Sequence, residues 1–338
     1  MSDFQFDIVC IGRSSIDLYS NDIGSPFEKI TGFAAYVGGC PTNISVGTRR
    51  LGLKSALLTG VGLDPVGDFI LHFLEQEGVD TTLVAKKPGR RSSAVVLGIE
   101  PPDKFPLVYY RENCADIGID ISDIRKIPFE QSRAILISGT GLSLEPSRSA
   151  TIFAAEEAST AGTKVILDID FRADQWPDVQ TFGTTVRSVL PYVDVVIGTT
   201  EEVKAAAYRG TAQARIKDSQ VNESVIEGDT DTAVASLLER GPELLILKSG
   251  TEGCYLHHKD QAKAEHIPGF PVEVRNTLGA GDAFASGFLF GYLNDWALQK
   301  SARLGNACGA IVVTRHGCAN FMPTLKEAES FAEEKGGL

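Results

Sequence analysis

Six short runs, apolar on both faces and spaced among stretches of helical periodicity, constrain the fold of this chain more than any other feature. They are Phe6–Gly12, Ser55–Gly62, Arg133–Thr140, Lys164–Asp170, Val193–Thr199 and Glu243–Gly250. Val, Ile and Leu fill them without polar alternation, as a strand covered on both faces requires. Helical stretches lie between them at Thr42–Leu51, Val66–Glu77, Ser147–Ala161, Thr181–Leu190 and Thr230–Arg240. Strands alternating with helices bury their faces as a parallel sheet with helices on both sides. The pattern predicts a doubly wound α/β sandwich.

Two stretches break the rhythm. Residues 14–39 and 81–112 carry strand-like pieces with no helix to cover them, which predicts a small β-sheet lid beside the main sheet; lids of this kind close over substrates. The polar run 209–231 reads as a surface insertion. After Val274 the chain turns helical: Ala283–Leu293 is apolar around its whole circumference and so predicts a buried helix. A second helix is expected over Asp295–Val313 and a charged amphipathic one over Thr324–Glu334. No internal repeat is visible, and residues 1–338 are expected to form one α/β domain.

The 338 residues carry 32 Lys and Arg against 44 Asp and Glu, a formal net charge of −12. With no basic patch, such a chain repels nucleic acid and anionic membrane surfaces. No apolar run reaches the roughly 18 residues that span a bilayer. The six cysteines form no C-x-x-C pair, and the N-terminal residues lack a basic leader, so reduced thiols in a cytoplasmic protein are expected.

The most informative segment is Asn276-Thr-Leu-Gly-Ala-Gly-Asp-Ala-Phe-Ala-Ser-Gly287. A turn of Gly279, Ala280 and Gly281 opens into the buried helix, so unpaired N–H groups and the helix dipole favour an anion there. Asp282 falls in the first helical turn beside that pocket. Read locally, it is either a helix cap or a carboxylate kept ionised to accept a proton. Upstream, Val37-Gly-Gly-Cys-Pro-Thr-Asn-Ile-Ser45 sets Gly38 and Gly39 before Asn43, where backbone can approach a polyol and an amide can both donate to and accept from its hydroxyls.

Together, in this order, the two segments resemble the signatures of the ribokinase/PfkB family of sugar kinases, and further matches run along nearly the whole chain. The resemblance implies a ribokinase-like fold, ATP as phosphoryl donor, Mg²⁺, and a monovalent cation such as K⁺ as an optional activator. Carried onto this sequence, it makes Asp282 the general base and Gly279, Ala280 and Gly281 the anion hole. Asp17, Gly39 and Asn43 become sugar contacts. Thr199-Thr-Glu-Glu202 resembles an Asn-x-x-Glu motif that organises Mg²⁺ through water, with Thr199 in place of Asn and Glu202 retained. Lys248-Ser-Gly-Thr-Glu-Gly253 resembles the nucleotide loop, implicating Lys248, Gly250 and Gly253, and Asn306 falls where the family lines its adenine pocket. Gly62-Leu-Asp-Pro-Val-Gly67 has P-loop spacing, but Asp68 stands where a Walker Lys belongs. The five histidines are not spaced as metal ligands, and His257-His258 is expected in a surface hairpin.

Two arginines bear on substrate choice. Arg111 ends a lid strand and Arg172 follows a central strand; guanidinium forks pair with carboxylates and suit an acidic sugar. The bland alternatives are a structural pairing for Arg111 and ATP phosphates for Arg172. Tyr110-Arg-Glu-Asn-Cys-Ala-Asp116, Asp168-Ile-Asp-Phe-Arg172 and Asn306–Cys318 resemble the subgroup of the family acting on keto-deoxy sugar acids. What this implies is phosphorylation of the terminal C6 hydroxyl of 5-dehydro-2-deoxygluconate in myo-inositol breakdown. A 2-dehydro-3-deoxygluconate kinase is the alternative, although Asp170 stands where that group has Asn; a neutral-sugar kinase and a non-catalytic sugar-acid binder are the others. The expected partners are the sugar acid and ATP, with a homodimer through the lid, since unpaired strand edges invite pairing.

Overall fold

The computed structural model of the chain describes residues 4–100, 104–210, 215–216, 224–316 and 318–338. The insertion expected over 209–231 therefore lies partly outside the described residues. In the first half of the chain the strands are β1 (Phe6–Ile11), β2 (Ser15–Ser20), β3 (Phe33–Gly38), β4 (Ser55–Leu58), β5 (Ser93–Leu97) and β6 (Leu107–Tyr110). In the second half they are β7 (Ser132–Ser138), β8 (Lys164–Asp168), β9 (Val195–Thr199), β10 (Leu244–Lys248), β11 (Gly253–His258) and β12 (Glu265–Pro268). The main helices are α1 (Cys40–Leu51), α2 (Pro65–Gln76), α3 (Ser147–Ala161), α4 (Val179–Val189), α5 (Thr200–Ala207), α6 (Thr230–Leu238), α7 (Ala280–Leu293), α8 (Leu298–Val313) and α9 (Leu325–Glu334).

The central sheet has eight strands in the order β12-β11-β10-β9-β8-β7-β1-β4. From β4 across to β10 the pairings are parallel, while β11 and β12 add on antiparallel. The both-face apolar runs explain why this sheet is covered twice. Ile135, Ile137, Val165, Leu167 and Val196 pack under α3, α4, α5 and α6. Their neighbours Ala134, Leu136, Ile166, Val195 and Ile197 pack under α1, α2, α7 and α8. Helix α7, read as apolar all round, is buried along nearly its full length.

A four-stranded sheet, β3-β2-β5-β6, is built from the two stretches that lacked covering helices. Strand register places Asp17, Tyr19, Tyr36, Val95, Leu97, Leu107 and Tyr109 on one face, where Tyr19, Val95, Leu97 and Leu107 form a small core of their own. The other face carries Ile16, Leu18, Phe33, Ala35, Ala94, Val96, Val108 and Tyr110.

Two boundaries and one pair of strands differ from the sequence reading. The strand expected over 55–62 stops at Leu58, and Gly60–Val61 pairs instead with Ala85–Lys86 in a separate two-stranded sheet. The helix expected from Asp295 begins at Leu298, because Asp295 takes a left-handed turn (φ 57°) between α7 and α8. Strands β11 and β12 were not among the expected runs. Cys254, Leu256 and Ile267 are buried while Tyr255, His257 and His266 are not, so these strands lack the continuous apolar signal of the central ones. His257 and His258 close β11, at the expected hairpin.

Candidate active site

Ligands of open α/β sheets sit beyond the carboxyl ends of the strands, and here β8, β9 and β10 deliver Asp168, Thr199 and Lys248 side by side. Lys248 Nζ lies 3.4 Å from Asp168 Oδ2 and 3.9 Å from Glu202 Oε2. Burial alone would lower its pKa, but Asp168, Glu202 and Asp282 together raise it, so the ammonium stays charged. Asp168 is pushed the other way by its burial, above the usual carboxylate range, although Lys248 opposes the shift.

Helix α7 begins against this group. Gly279 caps it in the left-handed region (φ 78°), which favours glycine. The Ala280 N–H donates to the Thr277 carbonyl at 3.3 Å, so the helix start is anchored to its own turn. A Cβ on Gly281 would stand 3.1 Å from Lys248 Nζ; the missing side chain lets the ammonium lie against the helix end. Asp282 is raised to about 6 by its burial, against the Asn43 hydrogen bond, which favours the ionised form. That bond runs from Asn43 Nδ2 to Asp282 Oδ2 at 2.6 Å. Asp170 adds to the rise, while Lys248 and Arg172 oppose it.

Two cavities meet here. The first, about 270 Å³, is lined by Asp168, Asp170, Arg172, Glu202, Lys248 and Asp282 among others. The second, about 350 Å³, is apolar, with Val272, Val274, Phe284, Ala310 and Val313 in its walls. Thr199, Lys248, Thr277 and Gly281 belong to both. Gly250 and Gly253, both at positive φ, and Asn306 also border the apolar cavity. Asn306 Nδ2 donates to the Ile267 and Pro268 carbonyls, each at 3.0 Å, fastening β12 to α8.

Thr199 and Glu202 serve the backbone as well as the cavity. They form a capping box at the start of α5, with the Thr199 N–H donating to Glu202 Oε2 at 2.7 Å. Asp170, held at positive φ, accepts from Thr140 Oγ1 and pairs with Arg172 Nη2 at 2.8 Å. Burial would raise its pKa, but Arg172 and Arg13 outweigh that and hold it below the usual carboxylate range.

Asp17 lies on the inner face of the small sheet, accepting from Ser15 Oγ at 2.7 Å and from the Cys318 thiol at 3.6 Å. A Cβ at Gly38 would fall 1.9 Å from Asp17 Oδ2, so any side chain there would displace the Asp17 carboxylate. Gly39 follows at φ 110° as the cap of α1.

Arg111, read as a fork for a substrate carboxylate or as a structural pairing, makes the structural pairing with Asp116. It is buried, with Nε on Asp116 Oδ2 (2.7 Å), Nη1 on Ser143 Oγ (3.1 Å) and Gln175 Oε1 (2.6 Å), and Nη2 on the Thr140 carbonyl (3.1 Å). Four of its five donors brace the small sheet against the segment after β7. Sequence reasoning also passed over Arg13 and Tyr109, and quoted Asp168 without giving it a role. Arg13 stands between Gly12 and Ser14, where polar residues after a strand read as an ordinary turn.

The sequence profile of the pfkB family carbohydrate kinases matches residues 5–325. The chain belongs to this family. It is thus a phosphotransferase acting on a carbohydrate, and its small sheet and covered parallel sheet are the ribokinase-like arrangement. Among curated pfkB relatives, the 5-dehydro-2-deoxygluconokinase of Geobacillus kaustophilus is 32% identical over 331 residues, covering 97% of this chain and 94% of that protein. The enzyme of the same name from Clostridium botulinum strain Alaska E43 is 33% identical over 335 residues, covering 98% and 94%. The fold is shared with a putative ribokinase II from E. coli in complex with ATP and Mg²⁺ (TM-score 0.83, 21% identity, 97% of this chain and 99% of that one). It is shared too with a Vibrio cholerae fructokinase double mutant bound to fructose, ADP and potassium (TM-score 0.81, 23% identity, 98% and 99%). Among the described residues no helix is long and apolar enough to cross a membrane, and all six cysteines are buried and free.

Proposed function

We propose that this kinase transfers the γ-phosphoryl group of ATP to the terminal C6 hydroxyl of 5-dehydro-2-deoxygluconate. The observation that carries the reading is the position of Asp282. It is a half-buried carboxylate raised to about 6, at a helix N-terminus, in a polar cavity that adjoins an apolar one of nucleotide-base character. The names of the curated relatives support the substrate.

In this reading the apolar cavity takes the adenine, with Gly250 and Gly253 allowing the nucleotide to lie close and Asn306 shaping its floor. Lys248 and the Gly279–Gly281 turn hold the phosphate end, where N–H groups and the helix dipole favour negative charge. Among the described residues no three metal-binding side chains cluster tightly enough to hold an ion unaided. Asp168 and Glu202 nevertheless offer hard oxygens beside that end, which fits Mg²⁺ held largely by water and phosphate. When bound, the ion would neutralise charge on the phosphates. A monovalent cation such as K⁺ belongs to the same reading, supported by the potassium-bound fructokinase neighbour. Asp17, Gly39 and Asn43 hold the sugar hydroxyls, Arg172 supplies positive charge, and Arg111 acts as a strut. The segments 14–39 and 81–112 act as the lid, excluding water. Asp282 removes the proton of the terminal hydroxyl as that oxygen attacks in line; positioning and charge neutralisation do the rest.

The test is to incubate the enzyme with ATP, Mg²⁺ and the sugar acid and locate the phosphate by NMR. A phosphate on C6 is expected; transfer to another hydroxyl, or no transfer, would contradict the proposal.

The pH dependence follows from the same carboxylate. A base works only when ionised, so kcat should rise with pH through about 6. Asn43→Ala removes a hydrogen bond that favours the ionised form, so the rising limb should move to higher pH. An unmoved limb in a kcat–pH profile would mean that Asp282 is not the titrating base.

We read the outer face of the small sheet as the surface for a second copy of this chain. Phe33, Val108 and Tyr110 there are exposed at 39%, 45% and 60%, beside Leu18 and Val96, and a contiguous apolar sheet face marks an association site. Sedimentation should give twice the 36.2 kDa chain mass, falling to the single-chain mass in Val108→Glu. A wild-type monomer at micromolar concentration would refute it.

A further inference from the structure

Arg13, just past β1, is only 6% exposed yet carries no counterion. Among the described residues no carboxylate lies within ion-pair distance of it, whereas Arg111 has Asp116 and Arg172 has Asp170. Its Nη1 donates to Ser15 Oγ at 2.8 Å, its guanidinium lies 5.1 Å from the centroid of the Tyr109 ring, and its Nε is buried without a partner. Burial would lower its pKa, but Tyr109, Asp17, Asp170 and Asp116 more than restore it, so the cation persists. These carboxylates act at longer range and have donors of their own: Ser15 and Cys318 for Asp17, Arg111 for Asp116, Thr140 and Arg172 for Asp170.

A buried cation without a paired anion is costly, and the cost is recovered when an anion arrives with matching geometry. Arg172 bears on the same spot: its charge and that of Arg13 both act on the Tyr109 hydroxyl. Arg172 Nε is likewise buried and unpartnered. Arg13 thus lies by the Tyr109 ring, on the face of the small sheet that carries Asp17, and Arg172, a second guanidinium with a spare donor, borders the polar cavity.

We propose that Arg13 is the specificity residue that receives the carboxylate of the sugar acid, with Arg172 assisting and Arg111 taking no direct part. This rests on the proposed function, since a neutral sugar would bring no anion. Guanidinium forks suit this task because two N–H donors match two carboxylate oxygens. The competing role is purely internal: Arg13 would orient Asp17 through Ser15 and act on every substrate alike.

A substrate-by-variant cycle separates the two. Wild type and Arg13→Met are assayed with the sugar acid and with its carboxamide, which keeps the shape and loses the charge. The variant should lose about 10²–10³-fold in kcat/KM on the acid, as when one partner of a buried charge pair is removed. On the amide it should stay within about threefold of wild type. Equal losses on acid and amide, or no loss on either, would overturn the proposal. Melting temperature and ADP binding report folding; should Arg13→Met fail to fold, Arg13→Lys carries the test, with about tenfold lost on the acid alone. An unchanged acid preference in Arg13→Lys then overturns the proposal. Arg111→Met should affect acid and amide equally, and loss of acid preference there instead would equally refute the assignment. Wild type that turns over no sugar acid removes the proposed function itself. Wild type that does so, beside an Arg13→Met that keeps its preference, removes only Arg13.

Discussion

Asp282→Asn should keep the fold, bind both substrates and turn over about 10²–10⁴-fold more slowly, the range for loss of a general base. The amide has nearly the carboxylate's shape and can still accept the 2.6 Å hydrogen bond from Asn43 through its own oxygen. What disappears is the capacity to take a proton. The loss should therefore fall on kcat, with KM for ATP and sugar little changed, because an interaction used only in the transition state has been removed. The acid limb near pH 6 should disappear with it. A variant that retains wild-type turnover would leave Asp282 as a first-turn carboxylate with no part in transfer.

Lys248→Met should cost about 10²–10³ in kcat, comparable to losing one preorganised electrostatic donor. Lys248 is the cation between Asp168 and Glu202, and it lies against the turn that opens α7. Without it the phosphate end keeps its carboxylates and loses the charge that offsets them. The fold should nevertheless survive. Asp168 already sits above the usual carboxylate range because of its burial, and removing the ammonium that opposes this shift leaves it protonated rather than unpaired. KM for ATP should rise as well, and Lys248→Arg should recover part of both losses. Full activity in Lys248→Met with an unchanged melting temperature would show that the ammonium takes no part in transfer.

How far the site could be read from sequence depends on how local each signal is. Continuous apolar runs such as Ala134–Ile137 and Val165–Leu167 announce buried strands because both faces are filled. The Gly279–Asp282 turn announces an anion site because the chemistry is carried by neighbouring residues. Arg111 is legible only as a choice between a substrate carboxylate and a structural pairing. Which of its donors are taken depends on Asp116, Thr140, Ser143 and Gln175, which meet it in the folded chain. Arg13 is the converse: an unremarkable turn residue in sequence that the fold buries without a counterion. Thr199 shows a local signal with two readings, since Thr-x-x-Glu is both the expected motif and a helix capping box. Strands β11 and β12 escaped because half-exposed or exposed residues such as Tyr255, His257 and His266 interrupt their buried ones.

The most direct measurement is kcat/KM of the wild-type enzyme, with ATP and Mg²⁺, across 5-dehydro-2-deoxygluconate, 2-dehydro-3-deoxygluconate, fructose, ribose and adenosine. The account predicts turnover concentrated on the first compound, with the neutral ones far behind for want of a carboxylate. Preferred turnover of fructose, ribose or adenosine would leave the fold and Asp282 standing and contradict the sugar-acid assignment.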